Sequence, residues 1–486
     1  PCWFESGSRM SRAVCGMIAR LRGASRLRKA LLGWSVTELG FYSWCRKRLE
    51  EENALLNDTE IPRPTPAMRA TLFSRCLRYP PLPGGTESIR AFVEGWFFDK
   101  PFEALGYEDI RRWLAWGLFA QRPENLDATG REELDAYVSQ LEVAAKATFF
   151  PLPEGQSLAP CMTPTWEPFR MGAEVAFLPC IFYVLVAMAD IAASCWLRWN
   201  GFEIQEAGGL EYWVRAGICC DSVEQPSMAV FAHGMGIGLL PYCIAILPAL
   251  FDLQRSGTIG VLALLRQPHV AMSIAKSNGH PPSAEELALS LQQLSHRHRG
   301  NTLIFVGHSY GTLVFAQIAN LRPDLIRCGI LLDPMCFMLH LKNVTYQFCY
   351  ALQMEAVHTN LIGRLIRSEL LINICMRRYF HWYQNCVWTE GVDGCDIPDQ
   401  AKHMHGSCEH EIQKRAALTK TLVFIAEEDH YLPREEIEHY LLQSSGKPRC
   451  RPVDVNVLHG RGHGAVLESD VCKQVFKKIE TFIRAL

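Results

Sequence analysis

One short segment constrains the possible fold more than any other part of the chain. An apolar run at 302–306 ends in the pentapeptide Gly-His-Ser-Tyr-Gly at 307–311, and a helix-like stretch follows to residue 321. A serine between two glycines, with a strand before it and a helix after it, predicts a sharp turn that strains the serine backbone. The hydroxyl of Ser309 is then exposed at a helix N-terminus, where developing negative charge is favoured.

From about residue 203 onward, strand candidates alternate with helix candidates. The strands are predicted at 211–215, 228–232, 258–264, 302–306, 328–332, 421–426 and 453–458. The helices are predicted at 283–298, 310–321, 433–443 and 466–485, and the first is opened by the capping pair Ser283 and Glu286. Such alternation predicts a mostly parallel sheet with helices on both faces, and an active site at the carboxyl ends of its strands.

The strand predicted at 421–426 is followed by carboxylates, which are candidate acids for orienting a histidine. Asp429 is the preferred acid because it stands a few residues beyond the strand, where a loop can aim it inward. Asp333, at the end of the strand directly after the serine, is the alternative acid. Glu427 and Glu428 are further candidates.

The strand predicted at 453–458 is followed by a glycine-rich loop that carries two histidines. His463 is the preferred general base because it lies further into the loop, immediately before a helix, and can reach the serine. His459 is interpreted as a strand-end residue held by local hydrogen bonds. The functional residues then follow one another along the chain as Ser309, Asp429 and His463.

A second glycine-rich loop follows the strand predicted at 228–232. An oxyanion needs two backbone N–H groups that point at one oxygen, and glycine permits the required backbone conformation. The predicted donors are the N–H groups of Met235 and Tyr310, and the supporting loop consists of His233, Gly234 and Gly236. The loop lacks the Lys-Ser/Thr ending of a phosphate-binding loop and the spacing of a dinucleotide-binding loop.

These motifs, in this order, resemble the α/β-hydrolase superfamily, in its lipase and esterase branch, from about residue 205 to 486. The resemblance implies an α/β-hydrolase fold with a mostly parallel sheet, flanking helices and a helical lid insertion. The helical, tryptophan-rich part in front of it is similar to that of fungal and algal α/β-hydrolase proteins.

The candidate residues predict a serine hydrolase that cleaves a carboxylic ester with a hydrophobic moiety through an acyl-enzyme on Ser309. No cofactor and no metal is predicted. Two alternatives stay open: an acyltransferase that uses the same three residues, and a non-catalytic binding module on the same scaffold.

The composition along the chain divides it into four parts. They are a basic N-terminal arm at 1–33, a helical N-terminal region at 34–150, a proline-rich linker with a hydrophobic helix at 151–202, and a catalytic domain at 203–486. The lid insertion is predicted at 334–420. Its many apolar side chains favour a hydrophobic ester or lipid as substrate.

The hydrophobic run at 176–197 is about long enough to cross a bilayer. Asp190 and Pro179 argue against a span, since a carboxylate is costly in lipid. Three interpretations stay open: a transmembrane helix, a helix that lies in the membrane surface, and a helix buried on the catalytic domain.

The charge and cysteine content bear on partners and compartment. A net charge of −2 gives no indication of a nucleic-acid partner. The 19 cysteines, without regular spacing, indicate reduced thiols and an intracellular location, with membrane association and an organelle as open alternatives. One group resembles metal ligands but matches no standard zinc spacing: Cys386, Cys395, His403, His405, Cys408 and His410.

Overall fold

The computed structural model describes most of the chain. The described residues are 26–55, 62–217, 227–300, 302–354, 361–389, 420–444 and 453–486. Within them, eight strands form one sheet in the order β1-β2-β4-β3-β5-β6-β7-β8. The strands are β1 Glu203–Ala207, β2 Leu210–Ala216, β3 Met228–Ala232, β4 Val261–Leu265, β5 Leu303–His308, β6 Ile326–Leu332, β7 Thr421–Glu428 and β8 Val453–Gly462.

The sheet is parallel from β4 to β8 and antiparallel only where β1 and β2 join its edge. Every residue of β3, β4 and β5 is buried, which is why these strands read as continuous apolar runs in the sequence. Because β3 and β5 to β8 are parallel, their carboxyl ends lie at one edge of the sheet. The predicted mostly parallel sheet is confirmed.

Helices cover both faces of the sheet and form two additional regions. The described α-helices are α1 Arg26–Ala54, α2 Pro66–Arg78, α3 Thr86–Trp96, α4 Tyr107–Leu114, α5 Ala128–Ala145, α6 Cys180–Trp199, α7 Ile246–Arg255, α8 Ala284–Arg297, α9 Gly311–Leu321, α10 Asn343–Cys349, α11 Ala351–Met354, α12 Leu361–Ser368, α13 Leu370–Ile374, α14 Trp382–Asn385, α15 Arg434–Ser444 and α16 Ser469–Arg484. Alternate residues of each strand face opposite cores: Phe231 packs in the core with α7 and α16, whereas Val230 packs in the core with α8 and α9.

The strand β1 is absent from the strands predicted from the sequence. It pairs with β2 as an antiparallel hairpin, and the turn consists of Gly208 and Gly209, with φ of +54° and +80°. Two consecutive glycines at positive φ are typical of a two-residue hairpin turn. That pair was the sequence signal that could have located β1, whose polar residues gave no apolar run.

The helical N-terminal region packs against the segment inserted between β6 and β7. The indole N–H of Trp96 donates to the carbonyl oxygen of His340 at 2.9 Å, and that of Trp382 donates to the carbonyl oxygen of Gly117 at 2.9 Å. Both regions therefore contribute to one core. The described part of the insertion holds α10 to α14, and residues 355–360 and 390–419 of the predicted lid lie outside the described residues.

The helix α1 begins at Arg26, inside the segment predicted as a basic arm, of which residues 1–25 lie outside the described residues. The helix α6 corresponds to the hydrophobic run predicted from the sequence. It packs on the hydrolase core through Ala193 and Leu197, yet most of its surface is exposed. Within the described residues it is the one helix long and apolar enough to cross a membrane.

Candidate active site

Ser309 stands at the tight turn between β5 and α9. Its φ is +51°, in the left-handed region that residues other than glycine rarely adopt. A Cβ on Gly307 would lie 2.9 Å from the carbonyl oxygen of Gly311, and a Cβ on Gly311 would lie 2.0 Å from that of Ala232. The two glycines therefore let α9 start close to β3, and this close packing holds the serine in its strained conformation.

A chain of hydrogen bonds joins Ser309 to His463, directly after β8, and to Asp429, directly after β7. His463 Nε2 lies 2.8 Å from Ser309 Oγ, and His463 Nδ1 lies 2.6 Å from Asp429 Oδ2. The other carboxylate oxygen of Asp429 accepts the N–H groups of Tyr431 at 2.8 Å and Leu432 at 3.3 Å. Because Asp429 is buried and fixed by these bonds, it holds the imidazole with Nε2 directed at the serine.

The charges around His463 increase its basicity. Burial alone lowers the pKa of His463, but Asp429 and, more weakly, Asp333 raise it to about 9. A proton on the imidazolium is therefore stabilised by two carboxylates in a site shielded from water. This arrangement favours transfer of the Ser309 proton to His463.

Asp333, the alternative acid, is buried beside the histidine loop and contacts its backbone. Its Oδ2 accepts the N–H of Gly464 at 2.8 Å, and its Oδ1 accepts the N–H of Ala426 at 3.2 Å. Burial would raise the pKa of Asp333, but His308, His463 and the Gly464 N–H hold it below its ordinary value, so the carboxylate is charged at neutral pH. The structure thus brings Asp429 to the imidazole, while Asp333 fixes the residue next to it.

The glycine-rich loop after β3 lies directly against the serine. A Cβ on Gly234 would stand 3.0 Å from Ser309 Cβ, so only glycine allows this approach. Gly236 has a φ of +145° and donates its N–H to Val270. The N–H groups of Met235 and Tyr310 have no hydrogen-bond partner within the part of the chain that the structure describes. Both predicted oxyanion donors are therefore available at the loop and at the start of α9.

Two buried side chains, Tyr242 and His308, lie beside this loop, and Tyr242 belongs to none of the motifs found in the sequence. Tyr242 accepts the N–H of Gly234 at 2.9 Å and lies 2.8 Å from His308 Nδ1. His308 Nε2 in turn lies 3.7 Å from Asp333 Oδ2. Burial lowers the pKa of His308, so its imidazole is neutral. Hydrogen bonds through Tyr242 thus link the loop after β3 to His308, at the end of β5.

His233 has a structural position and does not contact the serine. Its Nδ1 lies 2.8 Å from the carbonyl oxygen of Gly234, and burial lowers its pKa to about 4. The carbonyl oxygen of His233 accepts the side-chain amide of Gln267 at 2.9 Å. His233 therefore stays neutral, and its hydrogen bonds lie within the loop after β3 and to Gln267.

Two apolar side chains of the insertion and its entry loop lie close to the site. Ser309 is only 7% exposed, and its hydroxyl lies 3.5 Å from the sulfur of Met335, in the loop after β6. Ile366 of α12 approaches Gly236, since a Cβ on that glycine would lie 3.8 Å from Ile366 Cδ1. Met335 thus contacts the hydroxyl of Ser309, and Ile366 lies beside the loop after β3.

The other candidates from the sequence lie away from Ser309. His459 is exposed and lies 3.2 Å from Glu427, and Glu428 is exposed as well. Of the group that resembled metal ligands, Cys386 is buried in the insertion and the other five residues lie outside the described residues. No cluster of three or more potential metal ligands is found among the described residues.

The comparison with protein families decides to which family this arrangement belongs. A model described as the alpha/beta hydrolase family matches residues 229–477, slightly more than half of the chain. The chain belongs to the alpha/beta hydrolase family. The superfamily and the fold predicted from the sequence are therefore confirmed.

Solved structures of other alpha/beta hydrolases align with the chain at low identity. A bacterial membrane phospholipase A aligns at 14% identity with a TM-score of 0.37, over 63% of this chain and 94% of that one. A carboxylesterase from Bacillus subtilis aligns at 10% identity with a TM-score of 0.37, over 62% and 98%. An epoxide hydrolase from Mycobacterium thermoresistibile aligns at 14% identity with a TM-score of 0.33, over 58% and 98%. The comparison with curated proteins returns no match.

Proposed function

We propose that this alpha/beta hydrolase is a serine hydrolase that cleaves carboxylic esters with a hydrophobic part. Ser309 Oγ attacks the ester carbonyl while His463 takes its proton, and His463 then protonates the leaving alcohol. Asp429 orients the imidazole, and the N–H groups of Met235 and Tyr310 stabilise the oxyanion. Water then resolves the acyl-enzyme. The observation that carries the proposal is the unbroken hydrogen-bonded chain from the strained Ser309 through His463 to Asp429.

The preference for a hydrophobic substrate rests on what surrounds the serine. Met335 contacts its hydroxyl, and Ile366 approaches the loop that carries one proposed oxyanion donor. A long acyl chain would make apolar contacts with Met335 and Ile366. The polar groups of a polar ester would find no hydrogen-bond partners next to these side chains. Hydrolysis is therefore expected to become more efficient as the acyl chain lengthens.

The test is steady-state kinetics with p-nitrophenyl esters from acetate to palmitate, with glycerol as an optional acyl acceptor. We expect kcat/KM to rise with chain length and Ser309→Ala to lower kcat by at least about 10⁴-fold. The matched control is Ser139→Ala, which removes an exposed hydroxyl on α5. Transfer to glycerol in preference to water would establish the acyltransferase instead. Turnover that survives in Ser309→Ala, or none in folded wild-type protein, would contradict the proposal.

We also propose that the enzyme works at a membrane surface, with α6 lying in the plane of the lipid head groups. One face of α6 is apolar and exposed, with residues spaced by three or four: Ile181, Val184, Leu185, Met188 and Ile191. Its other face is committed to the hydrolase, since Trp196 stacks on Phe251 and Tyr183 donates to Glu369 of the insertion. A helix held on one side in this way favours surface docking over a span.

Neighbouring elements extend the same type of surface and suit an anionic bilayer. Exposed Leu31, Trp34 and Leu39 belong to α1, whose Glu38 accepts the first N–H of α6. Exposed basic residues, Arg26 and Lys29, precede them at the start of α1. Apolar and aromatic side chains next to basic ones are typical of helices that bind anionic lipid.

Sedimentation with lipid vesicles tests the membrane proposal. Wild-type protein is expected to bind phosphatidylserine-containing vesicles, and the double variant L185E/M188E is expected to lose most of that binding. The control L289E/L442E places the same charges on exposed leucines of α8 and α15. Equal binding by both double variants would contradict docking through α6.

A further inference from the structure

The side chain of Met335 lies at the atom that would attack the ester. Its sulfur is 3.5 Å from Ser309 Oγ, and His463 Nε2 is 2.8 Å from the same oxygen. An ester carbonyl carbon must come within about 3–3.5 Å of the attacking oxygen before the two react. That carbon and the sulfur of Met335 therefore need neighbouring or overlapping positions beside Ser309.

The proposed mechanism leaves one substituent of the carbonyl carbon for the side of Met335. The carbonyl oxygen points to the N–H groups of Met235 and Tyr310, which stabilise it as an oxyanion. The leaving alcohol lies at His463, because the imidazole has to protonate it. The acyl chain is the remaining substituent, so its first carbon passes the sulfur of Met335.

Hydrogen bonds fix the backbone around Met335. Its N–H donates to Thr312 Oγ1 at 2.9 Å, and this hydroxyl donates to the carbonyl oxygen of Ser309 at 2.6 Å. The carbonyl oxygen of the next residue, Cys336, accepts the N–H of Val387 at 2.8 Å. The backbone at Met335 is thus held to the turn of the serine on one side and to the insertion on the other.

The segment that carries Met335 also contains two residues in the left-handed region. The φ angle is +47° at Asp333 and +53° at Met338. Such conformations persist where the surrounding contacts determine the backbone, and the N–H of Asp333 donates to the carbonyl oxygen of Phe424 at 2.9 Å. A shift of this backbone away from Ser309 would break several hydrogen bonds at once.

The side chain of Met335 can move where its backbone cannot. A methionine side chain is unbranched and has three rotatable bonds, so the thioether can change position while the backbone stays in place. Met335 is 0% exposed, so an acyl chain reaches Ser309 on this side by displacing the thioether. The space that the thioether leaves is that of one unbranched chain.

We infer, on the basis of the proposed hydrolysis, that Met335 determines specificity at the acyl α-carbon and restricts the substrates to esters of acids unbranched at that carbon. A methylene next to the ester carbonyl takes the place of the displaced thioether. A second carbon at the same position needs additional space on the side of the fixed backbone, and rotation of the Met335 side chain does not provide it. The substrates are then esters of straight-chain fatty acids.

Three isomeric p-nitrophenyl esters test this selection: the hexanoate, the 2-methylpentanoate and the 4-methylpentanoate. They share one composition and one leaving group, and they differ in whether and where the acyl chain is branched. Each kcat/KM is divided by the rate constant of alkaline hydrolysis without enzyme, which removes differences in intrinsic reactivity. We expect the corrected values for the hexanoate and the 4-methylpentanoate to exceed that for the 2-methylpentanoate at least about tenfold, the lower end of what one misplaced carbon changes in an enzyme pocket.

Variants assign the selection to Met335. Met335→Ala provides the missing space and is expected to bring the corrected ratio of hexanoate to 2-methylpentanoate close to one. Met335→Leu keeps a side chain of similar size and is expected to keep the ratio. The control is Met162→Ala, which removes the same atoms from a fully buried methionine of the N-terminal region and is expected to leave the ratio unchanged. A merely structural defect in Met335→Ala would lower all three rates together, so the ratio separates the two explanations.

The inference is overturned by a corrected ratio near one in the wild type, by a ratio that Met335→Ala leaves unchanged, or by an equal change of the ratio in Met162→Ala. Two uncleavable isomeric ketones, heptan-2-one and 3-methylhexan-2-one, distinguish this failure from failure of the proposed hydrolysis. If the wild type hydrolyses none of the esters, calorimetric titration with the ketones decides. Tighter binding of heptan-2-one that becomes equal in Met335→Ala would support the role of Met335 without hydrolysis, whereas equal affinities in the wild type, or no binding of either ketone at tens of millimolar, would overturn it.

Discussion

At the scale of single residues, the site contains two buried carboxylates with different tasks. Asp429 contacts the imidazole of His463 directly, whereas Asp333 contacts the N–H of Gly464 beside it. The sequence left both acids open because each follows a strand at the same edge of the sheet. Only the packing of the loops shows which carboxylate reaches the ring.

Because the two acids have different tasks, replacing each of them by asparagine is expected to lower kcat by different factors. Asp429→Asn is expected to lower kcat for ester hydrolysis about 10⁴-fold, because an amide cannot hold the imidazole in the required tautomer or stabilise its charge. Asp333→Asn keeps an oxygen for one of its two N–H partners and is expected to lower kcat far less. Steady-state kinetics of both variants decide this. Equal losses, or a larger loss in Asp333→Asn, would contradict the assignment.

The raised pKa of His463 predicts the pH dependence of activity. Free enzyme needs a neutral imidazole, so kcat/KM is expected to rise with pH up to about 9. Asp333→Asn removes one of the charges that raise this pKa, so the rise of kcat/KM is expected to occur at lower pH. The control is Glu427→Gln, which changes an exposed carboxylate away from Ser309 and is expected to leave the pH dependence of kcat/KM unchanged.

The same pKa has a consequence for stability. A histidine whose pKa is higher in the folded chain stabilises the fold fully below its ordinary value of about 6.5, and this contribution is lost as the pH rises through about 9. The unfolding temperature of wild type relative to Asp429→Asn is therefore expected to fall across that interval. A difference that grows with pH would contradict the assigned shift.

The tight turn at Ser309 predicts that a methyl group added at Gly311 strongly destabilises the fold. Gly311→Ala would place Cβ 2.0 Å from the carbonyl oxygen of Ala232 and is expected to cost about 3 kcal/mol of unfolding free energy or more. Gly40→Ala, in the exposed helix α1 with nothing within 4 Å of the new Cβ, is expected to be stabilising by about 1 kcal/mol. Urea denaturation measures both, and a neutral Gly311→Ala would show that α9 does not start so close to β3.

At the scale of elements, the sequence predicted those whose signals are local. The capping pair before α8 is present, since Ser283 and Glu286 bond reciprocally at 3.1 and 2.8 Å, and the helix spans nearly the predicted residues. The strand β1 was not predicted because it lies at the edge of the sheet, where its mostly exposed, polar residues form no apolar run. Tyr242 could not be assigned a role, because its contacts with Gly234 and His308 arise from packing between distant segments.

The connection between α6 and the insertion gives a prediction at this scale. Tyr183 donates to Glu369 Oε1 at 2.9 Å, and burial raises the pKa of that fully buried carboxyl, although Tyr183 and nearby N–H groups partly offset this. Tyr183→Phe leaves this oxygen without its donor and is expected to cost about 1–3 kcal/mol. Tyr42→Phe on α1 is the control.

Urea denaturation measures the loss of unfolding free energy in Tyr183→Phe, and hydrogen exchange shows which helix is destabilised. Faster exchange is expected in α13, which Glu369 caps by accepting the N–H of Ile372 at 2.9 Å. A stability like that of Tyr42→Phe, with unchanged exchange in α13, would show that α6 and the insertion are not linked in this way.

At the scale of the whole molecule, the hydrolase fold brings Ser309, His463 and Asp429 together, and the N-terminal helices and the insertion share one core. The sequence predicted the fold because every motif follows a strand, and parallel strands bring their carboxyl ends to one edge. It could not predict that the N-terminal helices share a core with the insertion, because contacts such as Trp96 with His340 join residues far apart in the chain. The insertion that shares this core begins next to Met335, whose sulfur lies 3.5 Å from the hydroxyl of Ser309.

The most direct test of the account is covalent labelling of the purified chain with a fluorophosphonate probe, followed by mass mapping of the modified residue. We expect a single labelled site at Ser309, which is lost in Ser309→Ala, retained in Ser139→Ala and reduced in Asp429→Asn. Anionic vesicles are included because the enzyme is proposed to work at a membrane surface. Folded wild-type protein that stays unlabelled with vesicles present, or a label on another residue, would contradict the claim that Ser309 is an activated nucleophile.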